Sequence, residues 1–365
     1  MKALYVVPRL GGVGGLQRVL LLKAGYLAEN KGYDITILVT NPDVNKILFP
    51  VSPQLKIIYI NPDNNGSLSY FFSYRKAIKQ KVAQIGADII VVCDNGLKSL
   101  LLPWILPKKT PVVYEMHAAK FLVNEQLAKN KLTRLLPSYS ILNFVYSKFT
   151  KFVALTTEGQ KEWQLQNSVV INNALWFTSD RENALTEKRI VVMGRHAPQK
   201  GYERMFSIWK KVAAEYRDWT LEIYGAHNPE YNLPEMARDK GLEQIIFSAP
   251  VPDVEYAYSK SSISIMTSVS EPFGMALIEA MECGIPCVAY NCPVGPATII
   301  KDGVNGFLVE DNNEQDFINA LQKLMEDREL RVKFGTEAKK TAARYNLEEI
   351  MEQWDALFKA LSQGA

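Results

Sequence analysis

Short apolar runs separated by helix-like stretches recur along the whole of this chain, and that alternation admits few folds. In the first half the runs are Ala3–Val7, Ile35–Val39, Leu55–Ile60, Ile89–Val92, Val112–Glu115, Phe152–Leu155 and Val169–Ile171. Stretches such as Gln17–Lys31 and Tyr70–Ile85 lie between many of them. A second series follows the polar segment Thr178–Lys188: Ile190–Met193, Leu221–Tyr224, Ile245–Phe247, Ile263–Met266, Cys287–Tyr290 and Phe307–Val309. Runs that are apolar throughout, rather than at every second residue, mark strands covered on both faces. The pattern therefore predicts an α/β protein with two parallel, doubly wound sheets. A chain of 365 residues, 47% of them hydrophobic, can bury two separate cores. The linker is expected near residues 172–188, between Rossmann-like domains spanning 1–172 and 173–345. A last amphipathic helix, about 346–365, carries Leu347, Ile350, Met351, Trp354, Leu357, Phe358 and Leu361 at helical spacing.

The formal charge of +3 hides an asymmetry. Residues 1–175 hold 21 Lys and Arg against 10 Asp and Glu, whereas residues 176–365 hold 21 against 29. The density peaks over 108–151, where Lys108, Lys109, Lys120, Lys129, Lys131, Arg134, Lys148 and Lys151 are mixed with apolar residues including Leu132, Leu135, Ile141, Leu142, Phe144 and Tyr146. Two readings stay open for that segment: a surface that docks on anionic lipid, or a solvated helix pair whose apolar residues are core. Nucleic acid is not an expected partner, because the basic residues come without a recognised motif and the second half is acidic. Cys93, Cys283, Cys287 and Cys292 form no Cys-x-x-Cys pair and His is scarce. A disulfide framework or zinc site is not expected, which fits a reducing compartment. Arg9 and the glycines after it interrupt the first apolar run too soon for a signal peptide, and no apolar run reaches the length of a membrane span. The expected location is cytoplasmic, with peripheral contact at the inner membrane face as an open option.

In doubly wound sheets ligands collect at the carboxyl ends of strands, so the loops there carry the functional reading. The most informative is SISIMTSVSEPFGMALIEAMECG, residues 262–284. It reads as a buried strand, an outgoing loop over Ser268–Pro272, and a helix over Gly274–Cys283 stopped by Gly284 and Pro286. Amides of Gly274 and Met275 at the helix start suit a phosphate, while Glu271 and Glu279 can accept hydrogen bonds from sugar hydroxyls. A nucleotide sugar would use both. The glutamate spacing itself decides nothing, since it recurs at Glu222/Glu230, Glu235/Glu243 and Glu329/Glu337. MGRHAPQKGYER, residues 193–204, brings Arg195 and Lys200 to the same kind of edge, where a guanidinium and an ammonium suit a diphosphate or, alternatively, a loop salt bridge. PRLGGVGGLQR, residues 8–18, lacks both the G-x-G-x-x-G spacing and the Walker A pattern. No Asp-x-Asp occurs, so no metal is expected, nor any cofactor beyond the donor itself. His117 ends the run PVVYEMH, again at a strand's carboxyl end, as either a packing residue or a functional one.

Together, GGVGGLQR at 11–18, His117, GRHAPQKG at 194–201, EPFGMALIEAMECGIPCVA at 271–289 and GPATIIKDGVNGFLV at 295–309 resemble the family 4 glycosyltransferases, end to end and in order. The resemblance implies a GT-B fold, with two Rossmann-like domains facing across a cleft, the first binding acceptor and the second binding the nucleotide sugar. It implies that Glu279 binds the ribose and Glu271 sits beside the donor sugar. Gly274 and Met275 would hold the diphosphate with Arg195 and Lys200, and the Gly14–Gly15 loop would close over it. His117 would contact the transferred sugar, and the last helix would cross back to the first domain. Family members often carry Glu where this chain has Gln17, so no acid–base role is assigned there. The implied reaction is retaining transfer of a hexosyl or N-acetylhexosaminyl unit to a glycan or lipid-linked acceptor in surface polysaccharide or lipopolysaccharide synthesis. UDP-sugars are the favoured donors and GDP-mannose the alternative. A sugar-nucleotide epimerase or a non-catalytic sugar-nucleotide-binding partner remain the rival classes.

Overall fold

The computed structural model describes residues 1–12, 14–41, 47–62, 67–123 and 139–363. The chain divides into two compact units, Met1–Ala174 with Glu348–Ala365, and Leu175–Leu347. Each is built on one parallel sheet.

In unit 1 the strands are β1 Lys2–Val7, β2 Asp34–Val39, β3 Lys56–Tyr59, β4 Ile89–Val92, β5 Val112–Glu115, β6 Lys151–Ala154 and β7 Ser168–Val170, in spatial order β3-β2-β1-β4-β5-β6-β7. In unit 2 they are β8 Arg189–Met193, β9 Thr220–Tyr224, β10 Ile245–Ser248, β11 Ile263–Met266, β12 Cys287–Asn291 and β13 Gly306–Glu310, ordered β10-β9-β8-β11-β12-β13. All thirteen coincide with apolar runs read from the sequence, and both sheets are doubly wound as expected. The physical reason is visible in β4, β5 and β11, where every residue is buried. Val, Ile and their neighbours fill both faces of a central strand and leave no polar side to solvate.

Helices close the faces. Those at 314–326 and 328–342 begin on Asn313 and Asp327, whose side chains accept from the amides of Asp316 and Leu330. The final helix, Leu347–Gln363, lies in unit 1 from Glu348 onward and buries Ile350, Met351, Trp354 and Phe358. Tyr33 donates a hydrogen bond to Asp355 Oδ1 at 2.7 Å, fixing that helix to the turn before β2.

The basic segment 108–151 lies only partly in the described structure; Lys129, Lys131, Arg134, Leu132 and Leu135 fall outside it. Its apolar residues divide between core and surface. Leu142 and Tyr146 are core, while Ile141 and Phe144 on the same helix, Tyr139–Tyr146, face solvent. Phe144 is 56% exposed and Lys148 Nζ lies 4.3 Å from its ring. Among the described residues no helix is long and apolar enough to cross a membrane.

Candidate active site: the strand ends of each sheet

The second sheet grows from β8 toward β9 and β10 on one side, then toward β11, β12 and β13 on the other, so its order reverses between β8 and β11. Open α/β sheets take ligands at the carboxyl ends flanking such a reversal. The loops that leave β8 and β11 are the two sequence motifs, Gly194–Gly201 and Thr267–Gly274.

These loops are woven together. Val269 N–H donates to Gln199 O at 2.8 Å, Gln199 Nε2 to Ser270 O at 3.1 Å, and Thr267 Oγ1 to Gly201 O at 3.1 Å. Arg204, on helix Tyr202–Glu215, donates through Nε to Thr267 O at 2.6 Å and pairs with Asp311 beyond β13 at 2.6 Å. Gly201 makes the approach feasible. Its φ is +65°, and a Cβ there would collide with the Thr267 carbonyl. Lys200 beside it pairs with Glu271 at 2.6 Å, and Ser268 Oγ donates to the same carboxylate oxygen at 3.2 Å. The Glu271 backbone is held as well, since its amide donates to Pro293 O and its carbonyl accepts from Gly295 N–H at 2.7 Å. The cation and the carboxylate that the sequence placed in separate motifs are thus one ion pair.

Helix Met275–Glu282 starts after Gly274, which stands at φ +112° as the residue before the first turn rather than within it. The first amides of a helix have no intrahelical acceptor, and here they open at the strand-end edge. Glu279 lies one turn further, 5% exposed, and accepts from Trp176 Nε1 at 2.8 Å. Arg195 is exposed and takes part in no ion pair among the described residues. Next to it, His196 is buried with both ring nitrogens lacking hydrogen-bond partners, and Ser270 Oγ is likewise buried and unpartnered. Burial, and then the neighbouring His227, lowers the His196 pKa from its usual 6.5.

The first sheet reverses between β1 and β4. Gly14 precedes helix Gly15–Lys31, and the Gln17 carboxamide folds back over it. After β5 comes His117, whose Nε2 lies 3.2 Å from Glu115 Oε1. Glu115, the last residue of β5, is 2% exposed. Its Oε2 pairs with Lys23 Nζ and accepts from Cys93 Sγ at 3.1 Å. Lys23 is 1% exposed in the middle of helix Gly15–Lys31, with Nζ 3.7 Å from the centre of the Trp354 ring. Burial alone would raise the Glu115 pKa, but Lys23 and His117 outweigh it and hold the carboxyl well below the usual range.

Cys93, Glu115 and His117 bring ligand atoms within 4.8 Å of one another, the one such group among the described residues. The donor set fits a metal poorly. Lys23 already supplies the positive charge on the carboxylate oxygen that Cys93 reaches, and burial keeps the Cys93 thiol protonated.

Sequence reading identified neither Trp176, Ser268 and Arg204 in unit 2 nor Lys23 and Glu115 in unit 1. Only Lys23 left a signal, as a lysine inside VLLLKAGYLA.

Residues 177–341 match the family of glycosyl transferases group 1. An uncharacterized glycosyltransferase of Haemophilus influenzae is 27% identical, over 97% of this chain and 98% of its own. An amylovoran biosynthesis glycosyltransferase of Erwinia amylovora is 26% identical over the same shares. Among solved structures, the Staphylococcus aureus protein TarM, in complex with fondaparinux, α-GlcNAc-glycerol and UDP, superposes with a TM-score of 0.79 at 14% identity, covering 98% of this chain and 99% of that one. The strand ends described above thus sit in an established architecture, and the chain is a glycosyltransferase of the GT-B fold that over residues 177–341 is similar to the glycosyl transferases group 1.

Proposed function

We propose that this enzyme is a retaining transferase that moves a hexosyl or N-acetylhexosaminyl unit from a UDP-sugar to a glycan or lipid-linked acceptor in cell-surface polysaccharide synthesis. The observation that carries the reading is the interlocked pair of loops after β8 and β11, which sets Lys200, Glu271, the helix start at Gly274–Met275 and the Trp176-held Glu279 along one strand-end edge. Cationic groups and helix amides suit the diphosphate, and carboxylates suit hydroxyls. In this reading Glu279 takes the ribose and Glu271 the donor sugar, with Arg195 completing the diphosphate contacts. Support for UDP comes from TarM, solved with UDP, and support for a surface glycan from the amylovoran relative.

The reaction is a front-face displacement. The acceptor oxygen bonds to the anomeric carbon as the bond to the diphosphate oxygen breaks, and a leaving phosphate oxygen takes the acceptor proton. Arg195, Lys200 and the helix start stabilise the departing charge, and His117 contacts the transferred sugar. Removing one preorganised charge-stabilising group lowers turnover by about 10²–10³-fold.

The test is release of nucleotide from UDP-glucose, UDP-galactose, UDP-N-acetylglucosamine and GDP-mannose, with Lys200→Ala alongside the wild type. Release from a UDP-sugar that falls by that factor in the variant is expected. Release from GDP-mannose alone would replace the donor class, and undiminished release by Lys200→Ala would remove Lys200 from the mechanism.

A further inference from the structure

A buried lysine in an apolar helix needs a reason, because an ammonium taken out of water must be paired and hydrogen-bonded to be tolerated. Lys23 has its partner in Glu115 and its aromatic neighbours in Trp354 and Tyr5, whose ring centre lies 5.6 Å from Nζ. The arrangement is directional. Lys23 and Cys93 both engage Oε2 of the carboxylate, and Oε1 is turned to His117. His117 Nε2 has no hydrogen-bonded partner among the described residues. It lies 3.2 Å from Oε1, close enough for the carboxylate to act on the ring electrostatically, though off the line of a hydrogen bond.

An ionised carboxylate can only accept, and Lys23 keeps this one ionised. A bare imidazole lone pair 3.2 Å from an ionised carboxylate oxygen is repelled by it, so the nitrogen facing Glu115 is the one favoured to carry the ring proton. We propose that Glu115 is a positioning residue for His117: held by Lys23 beneath Trp354, it keeps the imidazole proton on Nε2 and leaves Nδ1 as the acceptor available to a sugar hydroxyl. This rests on His117 being the sugar contact. It extends that reading in one respect, because Trp354 of the last helix, against Lys23 Nζ, becomes part of the chain of contacts through Lys23 and Glu115. All of the residues involved belong to unit 1.

The chain has only three histidines, His117, His196 and His227, so the tautomer can be read directly. Long-range ¹H–¹⁵N spectra of histidine-labelled protein are recorded at about pH 8, where an ordinary imidazole is neutral, and the His117 signal is assigned by its loss in His117→Asn. Wild-type His117 is expected with its proton on Nε2. A proton on Nδ1 in the wild type would overturn the proposal without any variant. The double variant Lys23→Met/Glu115→Leu replaces the buried pair by apolar residues of similar volume, a change that buried pairs often tolerate. It is expected to give a mixed His117 tautomer and about tenfold slower nucleotide release from the cleaved UDP-sugar, at nearly unchanged KM, as for one weakened hydrogen bond. Lys23→Arg keeps the charge and should keep both readouts. An unaltered tautomer in the folded double variant would contradict the proposal. Full turnover by His117→Asn would remove the sugar contact instead, leaving the tautomer result standing as a separate fact.

Discussion

At the scale of single residues, the Lys200–Glu271 pair explains how a carboxylate can sit beside the proposed diphosphate position. Unpaired, Glu271 would repel the ligand; at 2.6 Å from Lys200 and with Ser268 on the same oxygen, its charge is met from within the protein. If Lys200 turns partly to the proposed phosphate, Ser268 still holds the carboxylate. His196 raises the opposite problem, a titratable ring buried with no partner. Its folded pKa lies below the unfolded 6.5, so in the window between the two values the unfolded chain binds a proton that the folded chain does not. Stability must therefore fall as pH falls below about 6.5. Thermal melts between pH 7.5 and 5 should show that loss, and His196→Leu should flatten it; an unchanged slope in the variant would show that His196 is not its source.

Among the structural elements, the loop pair after β8 and β11 depends on one backbone position. Gly201→Ala meets both an unfavourable φ and the Thr267 carbonyl, so the loops must part. The expected loss of stability is about 1–3 kcal/mol, with weaker UDP binding because Lys200 is next in sequence. Gly241→Ala is the control, since it has a φ of +64° but open space around the added methyl; only the conformational share, up to about 1 kcal/mol, should appear. Calorimetric melts of the two variants separate the terms, and equal losses would show that the close approach contributes nothing. The elements are also where the sequence was most readable. Ile263–Met266 is a strand with the bounds its apolar run implied, because a local run is all that a buried strand requires. The helix after it begins one residue later than read, since Gly274 is the left-handed residue that turns the chain into it. Pairings were not readable. Trp176 and Glu279 are 103 residues apart and Lys23 and Glu115 are 92 apart, and periodicity carries no information about which distant side chains meet.

For the molecule as a whole, charge and apolar exposure are distributed by unit. The basic residues concentrate in the first half, and Ile141, Phe144 and Lys148 present apolar and cationic groups side by side on unit 1. We propose peripheral contact with anionic membrane through this surface. Flotation with vesicles containing anionic lipid at low salt should carry the wild type upward and Ile141→Ser/Phe144→Ser less so, while equal flotation with neutral vesicles would count against it. The central claim, that unit 2 binds a nucleotide sugar at its strand-end edge, is tested most directly by thermal shift. UDP, GDP and their sugars are compared on the wild type and on Glu279→Ala. Stabilisation of the wild type by UDP and UDP-sugars, about 2.7 kcal/mol at a hundredfold excess over Kd, and its loss in the variant are expected. No shift with any nucleotide, or the same shift in Glu279→Ala as in the wild type, would contradict it.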